Sequence, residues 1–421
     1  MVDCKTDPFL KPYRILDLTE GGCMIGGRIL GDLGADVMKI EPPGGSPSRI
    51  PPYYKNLPDP QKSLYWFAYN MNKRGVTLDI KKAEGQKVFK RLVKTADVVI
   101  ESFDVGVMEQ LGIGYNDLCK VKPDIIVTSI TPFGQNGPKA HYKGCDLVAW
   151  ASGGYLYVCG DPDRPPVWIS FPQASLHAGA EAASGTMAAI WHRNRTGEGQ
   201  QVDVSMQECS VSPSFNAPEM WDLNKLEFKR SSKSINIGNK GVRVTVVWPC
   251  KDGFVTFIAQ GGVDPFVSSI RELVRWMAGE GMTDDWFDSI DWAEDYNASR
   301  LVQDKVDRAE KVFAKFFMTK TKNELYEEGA LKRRVLIAPI STTEDIRNNK
   351  QLQSRGFWVN VEHPELNESI IYPGPFAKLN NNPLLFRCRA PLIGEHNSEI
   401  YETDLGMSKN EIAMLKDAGV I

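Results

Sequence analysis

The chain is expected to fold as an α/β protein whose first half carries a doubly wound parallel sheet. Three observations lead there. Short apolar strands alternate with helical stretches between Ile15 and Thr128, a glycine-bearing turn follows the first strand, and near Asp222 the pattern changes to paired strands and amphipathic helices. Strands alternating with helices pair in parallel through right-handed crossovers, and the ligand of such a sheet sits beyond the carboxyl ends of its strands.

In chain order, strands are predicted over Ile15–Leu18, Asp36–Ile40, Val76–Asp79, Asp97–Ile100 and Ile125–Thr128, with helices over Gly27–Leu33 and Glu84–Thr95. From Leu176 to Trp191 the residues are mostly Ala, Gly, Ser and Met, small enough for a helix to press closely against another backbone or a ligand. The turn Thr196–Gly199 then leads to the alternating segment Gln201–Val204. Beyond it, Val242–Val247 and Phe254–Ile258 read as paired strands, and Pro265–Met277 and Lys305–Phe317 carry helical periodicity. The acidic run containing Asp284, Asp285, Asp288, Asp291, Glu294 and Asp295 reads as a solvated helix face rather than a metal site. After Val335 come short strands at Trp358–Val361 and Ile370–Tyr372, a Pro-rich run and a terminal helix, expected to return to the first domain. The expected organisation is therefore a large domain over 1–221, a smaller α+β domain over 222–334 and a return over 335–421.

A length of 421 residues exceeds one ordinary core, which agrees with two domains. The net charge of -3 gives no global basic field and argues against nucleic acid as the main partner. No apolar run approaches the roughly 20 residues needed to span a bilayer, and the N-terminal residues lack a secretory apolar region, so a cytoplasmic location is expected. The eight cysteines form no Cys-x-x-Cys pair and no metal-ligand spacing with the five histidines; they read as reduced, mostly buried thiols.

Several constellations could carry chemistry. Gly21, Gly22, Gly26 and Gly27 follow the first strand and Glu41 ends the second, where a dinucleotide fold places its ribose-binding acid, but the spacing is not Gly-x-Gly-x-x-Gly and does not specify NAD. Asn70-Met71-Asn72-Lys73-Arg74 is placed in a loop before a strand, where a mobile point charge and a fixed fork of donors would suit separated phosphates; two exposed charges on an ordinary turn would look the same. Arg49, Lys139 and Lys143 add cations on other loops, and Phe103 offers an aromatic face. His177 is two residues from Ser175, so the two do not face each other on a helix, and no Gly-x-Ser-x-Gly elbow surrounds the serine. A hydroxyl helix cap is the plainer role for Ser175. For Cys145, next to Asp146, the plainer role is a buried thiol.

Taken together, Asp17-Leu18-Thr19, Leu33 to Gly45, Asn72-Lys73-Arg74 with Leu78-Asp79, Phe133 to Pro138, Arg195 to Gln200 and Pro391 to Asn397 resemble the family III CoA-transferases, a group that includes formyl-CoA and carnitine CoA-transferases and alpha-methylacyl-CoA racemases. The resemblance runs almost end to end. It implies an interlocked, ring-like dimer, with a large Rossmann-like domain built from both termini and a small domain inserted between. It also implies a CoA thioester as substrate, with no metal. By motif position, Arg49, Asn72, Lys73, Arg74, Ser102, Phe103 and Lys143 match the loops that contact CoA, and Gly238 to Gly241 resembles the glycine loop that closes over the site.

In the transferases an aspartate opens the small-residue helix, attacks the donor thioester and passes through an anhydride and an enzyme-bound CoA thioester. Ser175 matches that aspartate, and the nearest acid on the same helix, Glu181, lies nearly two turns on. In the racemases a histidine and an aspartate work from opposite faces, and Cys145 and Ser175 match them. Three readings follow. The chain is a subunit relying on an aspartate-bearing paralogue, with succinyl-CoA as donor and an aromatic or alkyl succinate as acceptor. Or it is self-sufficient with a changed mechanism on Ser175, Cys145, His177 or Glu181. Or it binds CoA esters without chemistry.

Overall fold

The computed structural model describes residues 8–237, 241–380, 384 and 386–421. Six strands form one parallel sheet: β1 (Arg14–Leu18), β2 (Asp36–Glu41), β3 (Lys73–Thr77), β4 (Val98–Glu101), β5 (Ile126–Thr131) and β6 (Gln201–Ser205), in the order β3-β2-β1-β4-β5-β6. The chain runs outward from β1 to β3, then restarts at β4 on the other side of β1, so the order reverses between β1 and β4. That reversal opens a crevice at the carboxyl edge, the usual ligand position in an open α/β sheet. Both faces are covered, which is why β5 reads as Ile-Val-Thr-Ser-Ile-Thr with every residue buried instead of alternating.

One face packs on α2 (Ala83–Thr95), which follows α1 (Met24–Asp32) in the chain and turns Val88, Phe89, Leu92 and Val93 inward at helical spacing. Leu16, Met38, Val76 and Val99 meet them there, together with Ile400, Tyr401 and Leu415 from the C-terminal segment. That segment also closes the exposed edge of β3. The Gly75 N–H donates to His396 Nδ1 at 3.1 Å, and Asn397 both accepts from Thr77 N and donates to Thr77 Oγ1 at 2.9 and 2.8 Å. An edge strand left open would be a template for non-specific pairing.

The short helix α3 (Asp146–Ser152) precedes α4 (Gln173–Thr196), the small-residue helix, which is longer at both ends than Leu176–Trp191 and stops at Gly197 in the left-handed region (φ 78°). Its buried residues, among them Ala174, Ser175, Ala178, Gly179, Ala182, Ala183 and Thr186, form one stripe. The stripe meets α1 backbone to backbone: a Cβ added to Gly179 would lie 2.6 Å from Ile25 Cγ2 and 3.0 Å from Cys23 O, and one added to Gly26 would lie 2.8 Å from Gly179 O. Thr186 holds the same helix to β5 through a 2.7 Å hydroxyl contact with Thr128.

The chain divides into two compact units. The first runs to Leu156, then from Trp168 to Lys225 and from Gln351 to Ile421; the second is Tyr157–Val167 with Leu226–Lys350. The boundaries near 225 and 350 replace those expected near 221 and 334, and a short excursion at Tyr157–Val167 joins the second unit. The second unit holds an antiparallel pair, β7 (Ser234–Ile237) with β8 (Val242–Thr245), and a three-stranded antiparallel sheet of β9 (Val247–Cys250), β10 (Gly253–Phe257) and β11 (Ile337–Pro339). Its core gathers Trp248, Phe257, Phe287, Phe313 and Phe317 around α5 (Phe266–Gly279) and α6 (Gln303–Phe317). In the acidic run, Asp284 caps a helix by accepting from Phe287 N and Asp295 pairs with Lys305. No helix among the described residues is long and apolar enough to cross a membrane.

Candidate active site

The turn after β1 is held by a buried charge cluster. Asp17 Oδ1 accepts from Thr19 N at 2.8 Å and Thr19 Oγ1 at 2.6 Å, its Oδ2 accepts from Lys73 Nζ at 2.7 Å, and Lys39 donates to Thr19 O. Asp17, Lys39 and Lys73 are wholly buried. Burial pushes the Asp17 carboxyl up, but the charges of Lys39 and Lys73 outweigh it and hold the group at about 2. Fixing Thr19 sets the next residues. The Glu20 N–H donates to Ser102 Oγ at 2.9 Å, the Gly21 N–H donates to Ser48 Oγ at 2.8 Å, and Glu20 Oε2 accepts from Ser46 Oγ at 2.5 Å and also from Ser48 Oγ. Residues from the ends of β1, β2 and β4 thus meet at the switch point.

Ser175 arrives there from α4. A Cβ on Gly22 would lie 2.4 Å from Ser175 Oγ, so only glycine lets the turn after β1 meet the helix. Pro172 occupies the N-cap, and Ser175, three residues on, caps nothing through its hydroxyl. Instead its N–H and its O–H both donate to Asp146 Oδ1, at 2.8 and 2.9 Å. The expected cap is corrected: the carboxylate that satisfies this helix start comes from α3. Asp146 Oδ2 is buried and has no hydrogen-bond partner among the described residues. The surroundings disfavour further negative charge. Burial, then the charges of Asp146, Asp17 and Glu101, push the Cys23 thiol up to about 12, and burial raises the Tyr65 hydroxyl with smaller contributions that include Cys23, Asp146 and Glu20. Glu101 itself is pushed up to about 7 by burial, against hydrogen bonds from Ser129 and the Phe103 N–H.

The other candidates separate. His177 is exposed, and Glu181 Oε2 accepts from Cys209 Sγ at 3.2 Å. Cys145 is exposed rather than buried, because it sits at the N-cap of α3 at the start of the helix. The loop expected at Asn70–Arg74 is corrected: β3 begins at Lys73, so Lys73 and Arg74 are strand residues. Lys73 Nζ spends its three donors on Asp17, Met24 O and Asn70 Oδ1. Arg74 is bound to Asp36, Glu399 and Asp404. Asn72 Nδ2 donates to Asp32 at 2.7 Å. Arg49 forms a two-pronged pair with Glu41 (2.8 and 2.7 Å) over the Trp66 ring, which also removes Glu41 as a ribose ligand. Asn72 carries no charge, Arg49 Nη1 is buried with no hydrogen-bond partner among the described residues, and Arg49 and Lys73, both buried, do not present charge to a phosphate arriving from solvent. Lys143 does: it is exposed and paired with Asp104 at the surface. Ser102 and Phe103 follow β4, partly exposed, with Phe103 packed against the core. Of the glycine loop, Gly241 is in the left-handed region (φ 62°), while Gly238 lies outside the described residues.

In the chain Asp146 stands beside Cys145 with no motif around it. A usable signal was present, an acid at the first position of an apolar helical run, where negative charge is favoured. What it would contact was not.

The family model of CoA-transferase family III matches residues 10–397. The succinyl-CoA:(R)-benzylsuccinate CoA-transferase subunit BbsE of Thauera aromatica is 33% identical over 413 residues, covering 97% of each chain. A formyl-CoA:oxalate CoA-transferase of Streptomyces coelicolor is 29% identical over 431 residues, 98% of this chain and 99% of that one. In fold, the crystal structure of a CAIB/BAIF family protein from Brucella suis superposes with a TM-score of 0.79 at 24% identity, over 95% of this chain and 100% of that chain. With a parallel sheet, a small-residue helix closing its switch point and a family match of this extent, the chain belongs to CoA-transferase family III.

Proposed function

We propose that the chain is one subunit of a heteromeric CoA-transferase that moves CoA from a donor such as succinyl-CoA to an aromatic or alkyl succinate. The observation that carries this reading is Ser175, at the third position of α4, where the family resemblance calls for an aspartate. A paralogous, aspartate-bearing chain supplies that carboxylate in an interlocked assembly, and the likeness to a protein named as a subunit supports it. CoA lies along the carboxyl edge of the sheet, with its phosphates near Lys143 and its adenine near Phe103 and Ser102. Arg49, Asn72, Lys73 and Arg74 act as the frame behind these loops. The complex works in the cytoplasm without metal or NAD.

Co-purification of the tagged chain from its native cells, with mass spectrometry of the partner and a transfer assay using succinyl-CoA and dicarboxylate acceptors, tests this. A stoichiometric aspartate-bearing paralogue, with activity only in the complex, is the expected result. A fully active homodimer overturns the heteromer. That second, self-sufficient reading is favoured by one observation, the Asp146 carboxylate beside Ser175.

A further inference from the structure

We infer that Glu101 is a positioning residue for the CoA ester, holding the loop that carries Ser102 and Phe103 in the shape that receives the adenine. The inference rests on the CoA placement proposed above, though not on the heteromer. Its basis is a difference among the buried acids. Among the described residues these are Asp17, Asp32, Glu41 and Glu101. Asp17 faces Lys39 and Lys73, Asp32 faces Arg28, and Glu41 faces Arg49. Glu101 pairs with no Lys or Arg among the described residues, and its charged neighbours Glu109 and Asp203 repel it. A buried carboxylate without a cation costs free energy, and a Gln of the same shape would avoid that cost. What the carboxylate does hold is the loop.

Glu101 ends β4 between Leu18 of β1 and Ser129 of β5, at the switch point. Its Oε2 accepts from the Phe103 N–H at 2.7 Å, two residues on, closing the turn from inside as an aspartate does in an Asx turn. From the other side the Glu20 N–H donates to Ser102 Oγ at 2.9 Å. The backbone leaves this turn through Asp104, which pairs with Lys143, and reaches Gly106 in the left-handed region (φ 86°). Phe103 is thereby fixed, partly exposed and packed on the core. A loop already held in its binding shape spares the ligand the entropy of ordering it. Glu101 itself reaches no ligand. It is 3% exposed, and the cavity beside it, lined also by Ser129, Gln135 and Tyr115, measures about 10 Å³, no more than one water. Ionisation tunes the grip. A carboxylate accepts an N–H about twice as strongly as a neutral carboxyl does, and with the group pushed up to about 7 by burial the change falls near neutral pH. The other titratable groups facing it are Glu109, Asp104 and Tyr115 around the cavity, Asp203 on β6 and the Cys23 thiol, with Lys143 held on Asp104. All of them are shared by the wild type and a Gln variant.

The test measures, by calorimetry on the native assembly, the binding of CoA and of pantetheine, which lacks the adenosine and its phosphates. Variants are introduced in this chain alone, so that only its own sites change. Glu101→Ala should weaken CoA about tenfold, since the Phe103 N–H loses its acceptor, and leave pantetheine unchanged; a merely structural loss would weaken both. Glu101→Gln keeps an acceptor but no charge. At pH 6 it should bind CoA as the wild type does, and at pH 8 several-fold more weakly than the wild type. That variant decides the matter even where Glu101→Ala does not fold. Equal loss of CoA and pantetheine, no loss of either, or a Gln-to-wild-type ratio that stays constant from pH 6 to pH 8 overturns the inference and leaves the CoA reading standing. A wild-type assembly that binds CoA no better than pantetheine overturns the adenine placement, and the inference with it.

Discussion

Replacing Asp17 by Asn tests whether the buried charge cluster sets the turn that carries the site. Asp17 faces two lysines in a region with no solvent, and its oxygens are filled by Lys73, Thr19 and, at 3.6 Å, Lys39. A carboxyl held at about 2 rather than 3.8 contributes about 2.5 kcal/mol at neutral pH. Removing one partner of a buried pair costs about 3–5 kcal/mol, because the remaining charges stay desolvated. Asp17→Asn should therefore lower the unfolding free energy extrapolated from urea titration by an amount in that range. The pH dependence has a definite sign: because the folded value is depressed, this stability is present above pH 4 and is lost as pH falls toward 2, and the variant should lack that acid limb. Lys73→Met in the same background should recover part of the loss, since the pair would be removed together. Equilibrium urea unfolding between pH 2.5 and pH 7, with the double-mutant cycle, measures all three. A loss below about 1 kcal/mol, or strict additivity of Asp17→Asn and Lys73→Met, would refute the reasoning, because contacting charges must couple.

Other outcomes follow from the same geometry. Gly179→Ala forces a methyl to within 2.6 Å of Ile25 and should cost about 1–3 kcal/mol, read as a lower unfolding midpoint; an unchanged midpoint would mean that α1 and α4 are not in backbone contact. Glu101→Gln should flatten the alkaline side of the stability profile: with the folded carboxyl raised to about 7, the wild-type contribution of about 3 kcal/mol is complete below pH 4.5 and lost as pH rises through 7, so the variant should gain melting temperature relative to wild type at pH 8.5 but not at pH 4. If Lys143 meets a CoA phosphate as proposed, Lys143→Ala should raise the KM for CoA esters several-fold with kcat and melting temperature unchanged, since this exposed cation pairs only with Asp104 at the surface.

Much of the sheet could be read from the chain. Strands expected at Ile15, Asp36, Asp97 and Ile125 begin within one residue of β1, β2, β4 and β5, and the helix expected at Glu84–Thr95 is α2, because apolar period and glycine punctuation are local properties. The small residues between Leu176 and Trp191 likewise announced a close helix contact, which Gly179 and Gly26 make. The chain's chemistry was far less legible. Lys73 and Arg74 look like loop cations because a charged pair inside a strand makes sense only when compensated, and their partners Asp17, Asp36, Glu399 and Asp404 are distant in sequence. Asp146 and Ser175 stand 29 residues apart, on different helices, and only their packing joins them. Sequence by itself determined where backbone hydrogen bonding would be regular, since that depends on near neighbours. Tertiary structure alone decided which charges are spent inside the fold and which side chains meet across it, since desolvation and its compensation act through space and leave no local pattern.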